Sequence, residues 1–84
     1  MEYKVMIKLY VPEIEQEFDM YIPVNKSVGQ VLTLLVKAVN SESFDIFPIK
    51  NNIRLINKRT SQVYEHTLVI RQTDIKNGTE LVII

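Results

Sequence analysis

Apolar residues fall on alternate positions at the start of the chain, where Tyr3, Val5, Ile7 and Leu9 are interleaved with Lys4, Met6, Lys8 and Tyr10. A period of two predicts a strand buried on one side, with the odd positions inward. Pro12 and the stretch Glu13-Ile14-Glu15-Gln16-Glu17 end it. Phe18, Met20 and Ile22 then alternate with Asp19 and Tyr21 as far as Pro23. Two such runs joined by a short polar connection predict a hairpin. After Pro23 the period changes. Ser27 and Gln30 have the spacing of a capping box, with Val24 just upstream as a staple residue. From there Val28, Val31, Leu32, Leu35 and Val39 repeat at helical spacing, predicting one buried face and an end near Val39-Asn40. Gly29 falls in the first turn, and Leu34 lies off the apolar stripe, where partial exposure is expected.

The segment from Ser41 to Asn52 carries Phe44, Ile46, Phe47 and Ile49, too apolar for a solvated loop, while Pro48 forbids a regular continuation. It predicts an irregular crossover whose aromatics cover one end of the core. Ile53 to Asn57 predicts a third strand, Lys58 to Ser61 a polar turn, and Gln62-Val63-Tyr64 a short fourth strand. Leu68, Ile70 and Ile75 anchor a connection, and Asn77-Gly78 supplies the positive-φ turn that launches the last strand, Thr79 to Ile84. The order is β-β-α-β-β-β. A single helix must cover a single sheet, which predicts a two-layer α+β domain. A ferredoxin-like fold needs a second helix, so the best match is a β-grasp, one helix packed on a four- to five-stranded mixed sheet. With no repeat, linker or low-complexity tract, residues 1–84 read as a single domain. The inward positions predict a core of Val5, Ile7, Phe18, Met20, Val31, Leu32, Leu35, Leu55, Leu81 and Ile83.

Composition narrows the function. Of 84 residues, 46% are hydrophobic and 24% charged, which excludes disordered and collagen-like classes. Ten basic residues balance ten acidic ones. Without a net field to attract phosphates or anionic lipid, neither nucleic acid nor a membrane surface is an expected partner. The absence of cysteine removes disulfides, Cys-ligated zinc, iron–sulfur clusters and thiol catalysis, and it permits a reducing compartment. The charged, alternating N-terminus lacks the apolar core of a signal peptide. The longest apolar run, Leu81 to Ile84, is far short of the roughly twenty residues a spanning helix needs. A soluble, cytoplasmic protein without membrane insertion is expected. Because the chain opens with Met and the first strand starts almost at once, it reads as a whole small protein.

The chemistry-bearing side chains have plain structural roles available. His66 is the only histidine, with only Glu65 and Asp74 near it in sequence, whereas zinc sites need three or four ligands and triads a nucleophile and an orienting group. A surface histidine in a turn is expected. Ser27 is a helix cap. Glu13, Glu15, Glu17 and Asp19 read as a solvated acidic run, and Lys58-Arg59 is too small a basic cluster for nucleic acid. Phosphate-cradling glycine loops are absent. No catalytic residue, metal or cofactor is expected, and the chain does not read as an enzyme. The functional signal lies in the strands. If odd positions of the first strand, Ile53 and Leu55, and Leu81 and Ile83 face the helix, the opposite face carries Met6, Ile56, Val82 and Ile84. Lys4, Lys8, Arg54 and Glu80 then surround them. The uncovered face of a sheet is normally polar, so a rimmed apolar patch there reads as a protein-binding surface. The alternative is that these residues serve strand propensity alone.

The run Arg54-Leu55-Ile56 with Asn57-Lys58, then Leu68 to Ile75 and Asn77-Gly78-Thr79-Glu80-Leu81, resembles ubiquitin's third strand, short-helix region and last strand. Order and hydrophobic spacing resemble ubiquitin over nearly the whole chain. Within that superfamily, three segments resemble the YukD/EsaB-type ubiquitin-like proteins of Gram-positive type VII secretion. These are Phe18 to Ile22, Ile53 to Lys58 and Ile75 to Ile84. The resemblance implies a small, non-catalytic cytosolic accessory of a secretion system that exports helical-hairpin proteins, binding a component of an ATPase-driven membrane apparatus. Related domains fused to the N-terminus of a membrane subunit of such machines fit a docking role. By the same resemblance, Ile56 and Ile84 fall where ubiquitin has two apolar patch residues. Conjugated and sulfur-carrying relatives need a flexible Gly-Gly tail, whereas this sequence ends Leu81-Val82-Ile83-Ile84, with glycine only at positions 29 and 78. Neither role is therefore expected. The second reading is an adaptor of another cytosolic complex, unrelated to secretion.

Overall fold

Two alternating runs on either side of a tight turn make the first hairpin of the computed structural model, which describes residues 3–42 and 53–84. Strand β1 (Lys4–Val11) pairs antiparallel with β2 (Gln16–Pro23), in register from Lys4 opposite Pro23 to Val11 opposite Gln16. Between them Pro12–Ile14 forms a 3-10 turn, closed by Glu15 in the left-handed region at φ 52°, its N–H donating to the Pro12 carbonyl.

Helix α1 (Val28–Glu42) follows, starting where the capping box predicts and running two residues past Asn40. The Gln30 N–H donates to Ser27 Oγ at 3.2 Å, and the Ser27 N–H donates to Gln30 Oε1 at 3.0 Å. The other two free donors of the first turn find partners far along the chain. Val28 N–H donates to the Leu68 carbonyl at 2.8 Å and Gly29 N–H to the His66 carbonyl at 3.0 Å. The segment around the 3-10 turn Ile70–Gln72 is thus stitched to the start of the helix, and Ile70 N–H adds a bond to the Lys26 carbonyl.

Strand β3 (Leu55–Asn57) pairs antiparallel with β4 (Glu80–Ile83), which lies parallel to β1 with Leu9 opposite Leu81. The sheet is mixed, four-stranded, in the order β2-β1-β4-β3. Asn77 and Gly78 start β4: Gly78 holds φ 87° and donates to the Met6 carbonyl, while Asn77 Oδ1 accepts from the Met6 N–H at 2.8 Å. The Asn77 side chain thereby extends the β1–β4 pairing beyond the strand.

The core joins one face of the sheet (Ile7, Leu9, Val11, Ile22, Leu55, Leu81, Ile83) to the predicted helix stripe (Val28, Val31, Leu32, Leu35, Val39), closed by Tyr64, Ile70 and Ile75. Three expected core residues are only partly buried: Val5, Phe18 and Met20. Phe18 and Met20 lie on β2, an edge strand with no neighbour on its outer side among the described residues. The expected fourth strand, Gln62-Val63-Tyr64, reduces to one bridge between Val63 and Ile56. Ser61 turns through φ 64° just before it, and the Tyr64 ring then enters the core instead of continuing along the sheet. Leu34, off the stripe, is 48% exposed. The expected crossover with Phe44, Ile46, Phe47, Pro48 and Ile49 lies outside the described residues.

Candidate protein-binding face

The parallel pairing of β1 with β4 determines which outward residues become neighbours. Across the uncovered face, the registers align Glu17, Tyr10, Val82, Ile56 and Val63 in one row. Two residues along, a second row reads Asp19, Lys8 and Glu80, with Lys58 next to Glu80 through its N–H bond to the Glu80 carbonyl. Charges alternate along this row, so each lies beside its opposite. Beyond it, Met6 stands opposite Tyr21 and Lys4 opposite Pro23. On the other side of the Tyr10 row, Ile84 and Arg54 exchange backbone bonds of 3.0 and 3.3 Å.

Ile56, Val82 and Ile84 are therefore brought together, and Met6 is not. The charged row separates Met6 from Val82 by about 13 Å along the strand direction. The expectation of a single patch of Met6, Ile56, Val82 and Ile84 is corrected on this point. Strand alternation reports which face a residue takes, but its height on that face depends on the strand register. Of the expected rim, Arg54 adjoins Ile84 and Lys8 lies in the charged row, while Lys4 sits at the far end. Two further residues, Tyr10 and Val63, belong to the row. Tyr10 was legible as an outward β1 position. Val63, 50% exposed, joins only through its bridge to Ile56. The Lys58 side chain reaches back across this face, its Nζ 3.8 Å from Glu17 Oε2 and 5.2 Å from the centre of the Tyr10 ring. Both partners of that ion pair are half exposed, so it contributes little to stability.

The other chemistry-bearing residues have structural work. Exposed His66 donates from Nε2 to the Ile53 carbonyl at 3.1 Å. Asn57 Oδ1 accepts from the N–H groups of Arg59 and Thr60, and Asn57 Nδ2 donates to the Tyr64 hydroxyl, which in turn donates to Asp74 Oδ1 at 2.6 Å. This relay ties the turn after β3 to the loop before β4. Beside it lies a polar cavity of about 710 Å³. Arg59 and Lys76 on its wall are balanced by Asp74 and Glu80. Among the described residues, no three His, Asp or Glu side chains are grouped to hold a metal.

The relay makes two checkable statements. Tyr64→Phe leaves the buried Asn57 amide without its acceptor and is expected to cost about 1–3 kcal/mol in a urea titration. Burial, joined by the bond to Asp74, pushes the Tyr64 hydroxyl from 10.0 up to about 12. The unfolded state releases this proton near pH 10 and the folded state near 12, so between those values the folded state binds more protons. Stability conferred by this group is complete below pH 10 and is lost as the pH rises toward 12. The decline should be steeper in the wild type than in Tyr64→Phe; equal slopes would contradict the assignment.

A helix laid across a mixed sheet of order β2-β1-β4-β3, with its two central strands parallel, defines the ubiquitin-like β-grasp. No family model and no curated protein matches the sequence. Solved structures do match. The ubiquitin-like domain of EccD5 from Mycobacterium xenopi superposes with a TM-score of 0.79 at 10% identity, over 98% of this chain and 93% of that one. The ubiquitin-like domain of the Mycobacterium tuberculosis type VII secretion protein EccD1 gives 0.77 at 9% identity, covering 98% of both chains. A chain of the MycP5-free ESX-5 inner membrane complex gives 0.78 at 18% identity over 96% of this chain, which spans only 20% of that one. At these identities the likeness is one of fold. Among the described residues, no helix is long and apolar enough to cross a membrane.

Proposed function

We propose that residues 1–84 form a single ubiquitin-like domain acting as a non-catalytic, cytoplasmic binding subunit of a type VII secretion apparatus, without conjugation and without a cofactor. The observation that carries the reading is the apolar row of Val82, Ile56 and Val63 with Ile84 beside it, on a sheet face that the helix leaves uncovered. An uncovered face gains little in folding from such a cluster beyond its cross-strand pairs, whereas a protein contact gains by removing it from water. Arg54 at its rim suits a partner with acidic residues around an apolar centre. The likeness to ubiquitin-like domains of EccD proteins is in keeping with a secretion setting; because fold by itself does not select a function, the choice over another complex rests on the test below.

The test is co-purification of the tagged full chain with the detergent-solubilised type VII membrane complex of its own cells. Retention of the complex is expected. Isopeptide adducts through Ile84 in mass spectra of those cells would overturn the non-conjugating reading. Capture of a soluble complex in place of the membrane one would favour the adaptor reading.

A further inference from the structure

The sheet has two edges, and they are treated differently. At β3 the edge is occupied: the Asn57 N–H donates to the Gln62 carbonyl at 2.8 Å, and the Tyr64 N–H to the Leu55 carbonyl at 3.0 Å. At β2 it is open. The Val24 N–H donates to the Tyr3 carbonyl, which sets the phase of the ladder. Even residues of β2 turn their backbone groups toward β1, so Glu17, Asp19 and Tyr21 turn N–H and C=O outward. Among the described residues, none hydrogen-bonds to these groups. Pro23 lies in the same outward phase and offers only its carbonyl, which ends the edge.

This edge is complementary to itself. Run antiparallel against a second copy, it has three registers centred on the middle of the strand. One sets Asp19 against Asp19, a like-charge pair. Another sets Tyr21 against Tyr21, spends Asp19 on Pro23, which has no N–H to return, and runs Glu17 past the end of the strand. The third centres on Met20 and pairs Asp19 with Tyr21 and Glu17 with Pro23, each twice. It satisfies every outward N–H of the strand and leaves only the Glu17 carbonyl, opposite Pro23, without a donor. It also aligns Glu17 of one copy with Pro23 and Lys4 of the other, opposite charges in one row on the same face. On the helix side, the two-fold brings together two grooves of about 510 Å³, each lined by Met20, Pro23, Lys26, Leu34 and Ala38. Leu34, apolar and 48% exposed on the helix, faces this trough.

We propose that the chain forms a two-fold dimer through its β2 edges, joining two sheets into one of eight strands with Met20 facing Met20 at the axis. A contact of one strand per copy is small, so the dimer dissociates in the range of about 1–100 µM. The contact lies at the opposite edge from Ile56 and does not depend on the function proposed above; Ile56→Glu leaves it unchanged.

Because the native chain has no cysteine, the register can be read by crosslinking the full-length protein. In a pair whose backbone bonds point away from each other, Cα atoms stand about 4.5 Å apart, within disulfide range. Met20→Cys should oxidise to a covalent dimer in high yield, and Tyr21→Cys, displaced along the ladder from its own copy, should not. Sedimentation should show Glu17→Lys and Lys4→Glu each weakening association about tenfold, and the double exchange restoring it. Amide exchange at Asp19 and Tyr21 should slow as protein concentration rises. A chain that remains monomeric up to about 1 mM, beyond the range of such contacts, overturns the proposal. So does equal crosslinking at both positions, a failure of the double exchange to restore dimerisation, or an edge that takes up a foreign strand while the chain stays monomeric.

Discussion

Replacing Leu55 by alanine is expected to remove about 2–5 kcal/mol of stability, the largest effect of any single substitution considered. Leu55 is fully buried on β3, opposite Ile83, with its side chain on the helix-facing side of the sheet. Truncation deletes three carbons from a closely packed interior. The loss combines their transfer back to water with the cavity left behind, which the neighbouring strand cannot fill without giving up its ladder bonds. Against the 5–15 kcal/mol that holds a typical domain folded, such a change brings a small protein near the limit of its stability. The measurement is the midpoint of a urea titration at constant slope. A shift worth under about 0.5 kcal/mol, the range of surface substitutions, would place Leu55 outside the core and the β3 register one residue off.

Ile56→Glu should do the opposite, leaving the fold nearly intact while weakening capture of the proposed partner complex by at least about a hundredfold. Ile56 is half-buried, points away from the helix, and has Val82 and Val63 as row neighbours. Folded alone, a carboxylate there remains in water, at a cost of about 1 kcal/mol or less. Under a partner it must be desolvated amid aliphatic side chains, and Lys58, two residues along the chain, is already engaged with Glu17. Circular dichroism and urea titration establish that the variant is folded, and co-purification then reads the interaction. A folded variant that retains the complex at the wild-type yield sinks the proposed face, and an unfolded one shows Ile56 to be core. Val82→Ala should give an intermediate loss, since it removes contact area without introducing charge.

Much of the fold was legible because it is written in local periods. The alternation of Tyr3 to Tyr10 and of Phe18 to Ile22, the Ser27–Gln30 capping box and the stripe from Val28 to Val39 each report a repeat that one element alone can satisfy. So does the Asn77-Gly78 turn, observed with Gly78 at φ 87°. The capping box is a four-residue interaction, and both of its hydrogen bonds form as the spacing requires. Val63 and Tyr64 have strand-like side chains, yet their segment forms a single bridge and no strand. A buried ring with partners at Asn57 and Asp74 outweighs a short stretch of ladder.

From the sequence alone came the α+β class, the helix and its buried face, and the side of the sheet on which each strand residue lies. These depend on the chemistry of residues within a few positions of each other. Only the tertiary structure decided how far along that face each residue stands. That depends on the parallel register of β1 against β4, strands separated by most of the chain. Nothing local specifies it, because shifting a register by two residues keeps every side chain on its own face while changing all its neighbours. Hence Ile56, Val82 and Ile84 meet, Met6 falls beyond a charged row, and Val63 enters the cluster from a segment that is not a strand. The same long-range pairing leaves β2 at the edge of the sheet, where Met20 is half covered and, among the described residues, nothing bonds the outward backbone groups of Asp19 and Tyr21.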